Sequence, residues 1–403
     1  MTKLQKLIKE FCPNGVEYKS LGELGYFYGG LSGKSKDDFK DGNAKFISYM
    51  NVYSNPALKV DTTETVRVGE DEKQNTIQYG DVLFTGSSET PDECGMSSVL
   101  TIETTEKLYL NSFCFGYRFY SPSQFLPDFL KHLFRSSSLR KQIGKTASGV
   151  TRFNVSKDKM KKVVIPIPPL QVQSEIVRIL DNFAELSAEL SAELSARQSQ
   201  YSYYQQKLLS FDCKTSYTTL QEVADIYDSL HQTPKYSEEG FSMIRVQDVK
   251  KGYIDAGNSL KVDEKTYKIF VQKYRPKTND IVVSRVGSYG NFAIIPDEFC
   301  CLGQNVAIIH PKINAKFLYY ILTSERIKSW IDGNVKGASQ KSFSLADIRR
   351  MPIPIIELAE QERIVAILDR FDALCNDISK GLPAEIEGRR KQYEYYRDKL
   401  LSF

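Results

Sequence analysis

The sequence predicts an α+β protein: two globular domains joined by two long antiparallel helices that form a coiled-coil spacer, organised as a pseudo-twofold internal repeat. Three observations carry this. Residues 129–186 align with 317–374 at a constant offset of 188, so that Gln173-x-x-Ile-Val-x-Ile-Leu-Asp-x-Phe183 recurs as Gln361-x-x-Ile-Val-x-Ile-Leu-Asp-x-Phe371. Tyr201-Ser-Tyr-Tyr-Gln-Gln-Lys-Leu-Leu-Ser-Phe211 recurs, at an offset of 192, as Tyr393-Glu-Tyr-Tyr-Arg-Asp-Lys-Leu-Leu-Ser-Phe403. Each copy passes from short β-rich runs to an apolar stripe of helical period. The segments are 1–169 (first globular domain), 170–211 (central helix), 212–356 (second globular domain) and 357–403 (distal helix).

The globular domains hold runs rich in β-branched and aromatic residues: Lys45–Tyr49, Asp81–Phe84, Phe113–Tyr117, Ile281–Ser284, Asn291–Ile295 and Val306–Ile309. Gly, Asn, Asp and Pro punctuate them, as turns require. The front halves of the two units match more loosely. Tyr18-x-x-Leu-x-Glu23 resembles Tyr217-x-x-Leu-x-Glu222, and Asp81-Val-Leu-Phe-Thr85 resembles Asp280-Ile-Val-Val-Ser284. A helix is expected over 126–143, where Leu126, Phe129, Leu130, Leu133 and Ile143 share a face, with its twin over 315–331. Ile165-Pro-Ile-Pro-Pro169 and Met351-Pro-Ile-Pro354 cannot continue a helix and prefer extended backbone, so they read as stiff joints.

Beyond each joint Ile176, Leu180, Phe183, Leu186, Leu190 and Leu194, and then Ile364, Leu368, Phe371, Leu374, Ile378, Leu382 and Ile386, recur at spacings of three and four. Roughly 40 residues at 1.5 Å each make a spacer of about 60 Å. Leu180, Phe183, Leu190, Tyr201, Leu368, Phe371 and Tyr393 are expected to carry the helix packing. Gly381-Leu-Pro383 should interrupt the distal helix. Three tandem tetrads, Leu186-Ser-Ala-Glu, Leu190-Ser-Ala-Glu and Leu194-Ser-Ala-Arg, suggest a length that changes by whole units.

The net charge of +4 is unevenly spread, roughly +4, −2, +4 and −2 over the four segments. The densest basic stretch, Lys131 to Lys162, holds ten Lys or Arg against only Asp158, and is either a solvated surface or the footprint of a polyanion. Seven scattered cysteines form no C-x-x-C pair, which disfavours a zinc site and a disulfide framework and suits a reducing cytoplasm. No apolar run is long enough to span a membrane. Catalytic signatures are missing: there is no P-loop, G-x-G-x-x-G, G-x-S-x-G or H-E-x-x-H, and Asn55-Pro-Ala57 lacks the rest of an amino-methyltransferase motif. Asp71-Glu-Lys73 and Asp263-Glu-Lys265 fit a short nuclease fragment but read better as exposed turns. No cysteine or carboxylate pattern surrounds His132, His231 or His310.

Two basic domains on a helical spacer suggest a reader of a two-part ligand. Gly149-Val-Thr-Arg-Phe-Asn-Val-Ser156 running into Ile165-Pro-Ile-Pro-Pro169, and Gly337-Ala-Ser-Gln-Lys-Ser-Phe-Ser344 running into Pro352, resemble the ends of target-recognition domains in the specificity subunits of type I restriction–modification systems. Gln361–Asp369, Gly381–Glu387 and Lys391–Phe403 resemble that family's conserved helical regions, and the Leu-Ser-Ala-Glu tetrads resemble its tandem tetrads. The resemblance covers essentially the whole chain and is strongest in 165–211 and 352–403. It implies two target-recognition domains on double-stranded DNA, each reading half of a split, asymmetric site. It also implies two docked methyltransferase subunits and motor-nuclease subunits. S-adenosylmethionine, ATP and Mg2+ would be used by those partners, with no cofactor or metal held by this chain. A related system, in which methyltransferase and nuclease share one polypeptide, and a non-DNA coiled-coil adaptor are the alternatives.

Base readout calls for polar side chains on loops. The candidates are Gly86, Ser87, Ser88, Thr151 and Arg152 in the first domain, and Arg245, Gln247, Arg285, Ser288, Tyr289, Ser339, Gln340 and Lys341 in the second. Arg285–Tyr289 reads equally well as a plain hairpin turn. Lys145, Lys161, Lys162, Lys336, Arg349 and Arg350 are expected at phosphates, which position without specifying.

Overall fold

The computed structural model describes residues 3–250, 252–295, 300–335, 341–377 and 379–403. The chain folds as two units, residues 1–191 with 385–403, and residues 192–384. Each unit contains one globular head, a stretch of the long helix Leu170–Leu208, and one helix of the distal segment.

The heads share one plan. In the first, an antiparallel sheet runs Gly25–Gly29, Cys114–Phe119, Val82–Thr85, Ser97–Val99. In the second, the order is Ala224–Asp228, Val306–Pro311, Ile281–Ser284, Phe292–Ile294. Beside each lies a three-stranded sheet with one parallel pairing, Ala44–Ile47 on Leu108–Leu110 and Phe241–Ile244 on Cys300–Leu302. Val82–Phe84 and Ile281–Val283 are wholly buried, which explains their continuous apolar character.

The repeated aspartates that open these strands are buried anchors. Asp81 accepts from Arg118 Nε at 2.8 Å, from Tyr28 Oη at 2.6 Å and from the Gln78 amide. Asp280 accepts from Tyr274 Oη at 2.9 Å and the Lys277 amide, and its second oxygen lies 2.7 Å from His310 Nδ1. Each buried carboxylate thus meets a polar ring or a guanidinium, as burial demands.

Two expectations are revised. The helix expected over 126–143 is two, Pro127–Leu133 and Ser137–Gly144, because Ser136 turns its hydroxyl onto the Leu133 carbonyl and caps the second. Ser324 does the same between Ala315–Leu322 and Glu325–Asn334. The proline joints are extended because they are strands: Val164–Ile167 pairs with Glu17–Ser20, and Pro352–Pro354 with Tyr217–Thr219. The loose Tyr-x-x-Leu-x-Glu match therefore marks the partner of each proline strand, and its leucine, Leu21 or Leu220, is fully buried.

The packing of helix on head is built twice from matching positions. Gln173 accepts from the Leu126 amide and donates to the Pro168 carbonyl, while Gln361 accepts from the Asn314 amide and donates to the Ile356 carbonyl. Leu180 and Leu368 are fully buried in the two main cores. Phe183 stacks on Tyr396 with ring centroids 5.2 Å apart, and Phe371 stacks on Tyr204 at 5.4 Å. Tyr201 also stacks on Phe371. Within the second unit Arg197 faces Cys375 while Tyr204 meets Phe371, so these helices run antiparallel. The distal segment is two helices, Leu358–Asn376 and Leu382–Leu400. At Gly381 a Cβ would sit 2.6–2.8 Å from the carbonyls of Ala373, Leu374 and Asp377, so the break needs glycine.

Contrary to the sequence reading, each histidine meets an aspartate. His132 is buried, with Nε2 2.7 Å from Asp181 Oδ1 and Nδ1 2.9 Å from Tyr393 Oη. Lys131 bridges the same Asp181 and Asp128. Burial pushes the His132 pKa below its ordinary value, against the pull of the Asp181 carboxylate. The unfolded chain therefore binds this proton first, so the stability His132 contributes is present above about pH 6.5 and is lost as pH falls through the lower folded value. We expect the thermal midpoint to drop between pH 7 and pH 5, and to drop less in His132→Gln. An equal drop in that variant would remove His132 as the cause.

Candidate nucleic-acid interface

In both heads three loops at one end of the sheets are tied by the same two hydrogen bonds. In the first, the Asn111 amide donates to the Ile47 carbonyl at 3.0 Å and the Gly86 amide to the Phe113 carbonyl at 2.8 Å. In the second, the Gly303 amide donates to the Ile244 carbonyl at 2.8 Å and the Arg285 amide to the Asn305 carbonyl at 2.9 Å. The loops around 48–50, 86–88 and 111–113 thus correspond to those around 245–247, 285–287 and 303–305.

On the first head this face gathers all five base candidates. Ser87–Ser88 pairs with Phe153–Val155, whose hairpin partner is Ala147–Ser148, so Gly149–Arg152 form the tip. Arg152 Nε donates to Ser87 Oγ at 3.1 Å, and Tyr49 Oη donates to the Ser87 carbonyl at 2.8 Å. Ser87 is buried and Ser88 donates to Glu93, so these two hydroxyls organise the loop. A Cβ on Gly86 would sit 2.7 Å from the Phe113 carbonyl oxygen, so the loop is closed to a side chain there. Thr151 and Arg152 are exposed, and Val150 is 92% exposed.

On the second head a cleft of about 370 Å³ is lined by Arg245, Gln247, Ser288, Gln304, Asn305 and Thr233 among others. Arg245 grips Asp248 through Nε and Nη2, both at 2.9 Å, and its Nη2 lies 2.7 Å from the Gln247 amide. Arg285–Tyr289 is indeed the turn between Ile281–Ser284 and Phe292–Ile294, and it also borders the cleft. Arg285 is tied to Asp228 and the Phe343 carbonyl. Tyr289 packs on the core and its hydroxyl lies 3.4 Å from Asp332. Lys341 is exposed, while Lys336, Ser339 and Gln340 lie outside the described residues. Gln304, Asn305 and Thr233 escaped sequence reasoning, because only the turn geometry brings them beside Arg245.

The basic stretch divides in two. Lys131, Arg135 and Arg140 point inward. Arg135 donates to the carbonyls of Ser97, Val52 and Tyr53, and Arg140 to those of Asp92, Cys94 and Gly95. Burial lowers the Arg135 pKa to about 10, so it stays charged and pins these loops. Lys141, Lys145, Arg152, Lys157, Lys159, Lys161 and Lys162 are exposed. Lys161 pairs with Asp158 at 3.0 Å, and Arg350 pairs with Asp347 while Arg349 is exposed.

Residues 13–197 and 216–388 match the family described as type I restriction modification DNA specificity domain. The chain is 34% identical, over 265 residues, to the EcoR124I/EcoR124II specificity subunit of Escherichia coli, a match spanning 62% of this chain and 65% of that subunit. It is 34% identical over 273 residues to a putative type I restriction enzyme specificity subunit of Haemophilus influenzae, spanning 64% and 68%. The chain thus spans about two thirds of the length of these curated relatives. Among solved structures, the S subunit of a type I restriction-modification system from M. genitalium superposes with a TM-score of 0.53 at 15% identity, covering 97% of both chains. A chain solved in work on complex assembly and conformational transition of the type I R-M system gives 0.61 at 17% identity, covering 96% and 98%. At such identities these structures show a shared fold. No helix among the described residues is long and apolar enough to cross a membrane.

Proposed function

The chain belongs to the type I restriction–modification DNA specificity family, and from that membership we propose that each of its heads reads one half of a split, asymmetric double-stranded DNA site. The single observation that carries this reading is the pair of loop faces, joined by identical hydrogen bonds yet filled with different side chains. A constant scaffold under variable loops suits a protein that reads two different half-sites. Val150, Thr151 and Arg152 on one head, and Arg245, Gln247 and Ser288 on the other, supply groove-reading groups. Lys145, Lys161, Lys162 and Arg349 supply exposed cations for phosphates.

Two methyltransferase subunits would dock on the helices, joined by motor-nuclease subunits for restriction. Two equivalent exposed tyrosines favour a partner used twice. Tyr203 lies under Lys207 at 5.8 Å and Tyr395 under Lys399 at 5.5 Å, and they are 58% and 59% exposed. Methyl transfer from S-adenosylmethionine, and ATP- and Mg2+-dependent cleavage, would belong to those partners, while this chain binds and positions DNA.

The test is to assemble the chain with its methyltransferase and sequence the methylated DNA. A two-part motif with a fixed gap is expected, and scattered methylation without a motif would overturn the reading. Methyl transfer by the purified chain alone would also overturn it. Binding of the complex should fall about a thousandfold or more between 50 and 200 mM salt, as for six or more phosphate contacts. A flat response would remove the exposed cations of 141–162 from the interface.

A further inference from the structure

We propose that the two heads are tuned to opposite base chemistries, with Met50 and Phe113 reading thymine methyl groups at the positions where the second head presents the amides of Gln247 and Asn305. This deepens the DNA-reading role and rests on it.

The equivalence comes from the backbone. The bond from the Asn111 amide to the Ile47 carbonyl matches that from Gly303 to Ile244, so three residues beyond the strand end Met50 corresponds to Gln247. The bond from Gly86 to the Phe113 carbonyl matches that from Arg285 to the Asn305 carbonyl, so Phe113 corresponds to Asn305. At both positions a side chain with a hydrogen-bonding amide in one head is wholly apolar in the other.

The apolar pair is held out in solvent. Met50 is 60% exposed and Phe113 is 61% exposed. Phe113 is presented by its loop, since its amide donates to Asn111 Oδ1 at 2.8 Å while its carbonyl accepts from Gly86. Met50 lies in the first turn of the helix Tyr49–Ser54, whose Tyr49 is bonded to Ser87. Single exposed apolar residues need no explanation. Two at matched positions of a face that also carries Arg152 and Val150 call for a ligand that is anionic yet offers apolar groups. Duplex DNA offers this in its major groove, where the thymine C5-methyl is the apolar feature and adenine N6 and N7 suit Gln or Asn.

The experiment uses the assembled methyltransferase complex and the site mapped for it. Thymines of each half-site are replaced by uracil, which lacks only the methyl. Uracil in one half-site should weaken binding roughly fourfold per contacted methyl, and in the other half-site should leave binding within about twofold. In Met50→Ala/Phe113→Ala the uracil sensitivity should vanish, while motif recognition through the other half-site persists. Tolerance of uracil in both halves, sensitivity that survives in the double variant, or a first half-site without thymine would each overturn the proposal. Loss of all sequence-specific methylation in the unaltered complex would overturn the DNA-reading role itself, and the proposal with it.

Discussion

Deleting Leu190–Glu193 is expected to shorten the gap between the two half-sites by one base pair while leaving both half-sites unchanged. The helix Leu170–Leu208 runs without a break through all three tetrads. Four residues advance it about 6 Å and turn it about 400°, a net rotation of about 40°. One base-pair step turns about 34° and rises about 3.4 Å. The rotation therefore matches one step, while the translation exceeds it and is taken up by an oblique helix or by flexing at the ends. The deletion is tolerable because the tetrads carry little core. Leu186 is 43% exposed, and Leu190 and Leu194 are only partly buried. Their serines satisfy themselves along the helix, Ser187 on the Phe183 carbonyl and Ser191 on that of Ser187. Removing two residues instead would turn the helix by about 200°, and carry Tyr201 and Tyr204 off Phe371. Sequencing methylated DNA from cells carrying each deletion measures the gap, and an unchanged gap after the tetrad deletion would make the tetrads filler.

A fragment ending at Phe211 is expected to dimerise and, with methyltransferase, to recognise a symmetric site built from the first half-site twice. In the first unit Phe183 is covered by Tyr396, and the His132 ring by Tyr393. The fragment lacks both, yet it ends in Tyr201, Tyr204 and Leu209, which in the second unit pack on Phe371 and the surrounding core. Phe371 and Phe183 are the same position of the repeat. A second copy can thus supply to Phe183 the contact that Tyr204 makes with Phe371. Sedimentation would reveal the dimer and methylation mapping the palindrome. A folded monomer, or an unfolded chain, would deny that the two helix contacts are interchangeable.

Much of this was legible along the chain. The offset of 188 predicted that Gln173 and Gln361, Leu180 and Leu368, and Phe183 and Phe371 would do the same work, and in the structure they do. The break at Gly381 was visible for the same reason, since local backbone chemistry decides where a helix stops. Less visible was the fate of the basic stretch. Lys131, Arg135 and Arg140 look like surface cations in sequence, but each reaches carboxylates or carbonyls brought in from distant segments. The histidines were misread for two reasons: Asp181 and Asp280 approach His132 and His310 only in the fold, whereas Asp228 stands three residues before His231 and was overlooked in the sequence.

By itself, then, the sequence determined the repeat, the secondary-structure periods and the family, because these depend on spacing along one chain and on side-chain polarity. The tertiary structure alone decided which loops share a face. Gly86 is 27 residues from Phe113 and Arg285 is 20 from Asn305 in sequence, yet single backbone hydrogen bonds join each pair. Those bonds form where strand order and register bring loop ends together, and neither composition nor period records that. The exchange of Met50 and Phe113 for Gln247 and Asn305 therefore becomes visible only once the two heads are aligned by their hydrogen bonds.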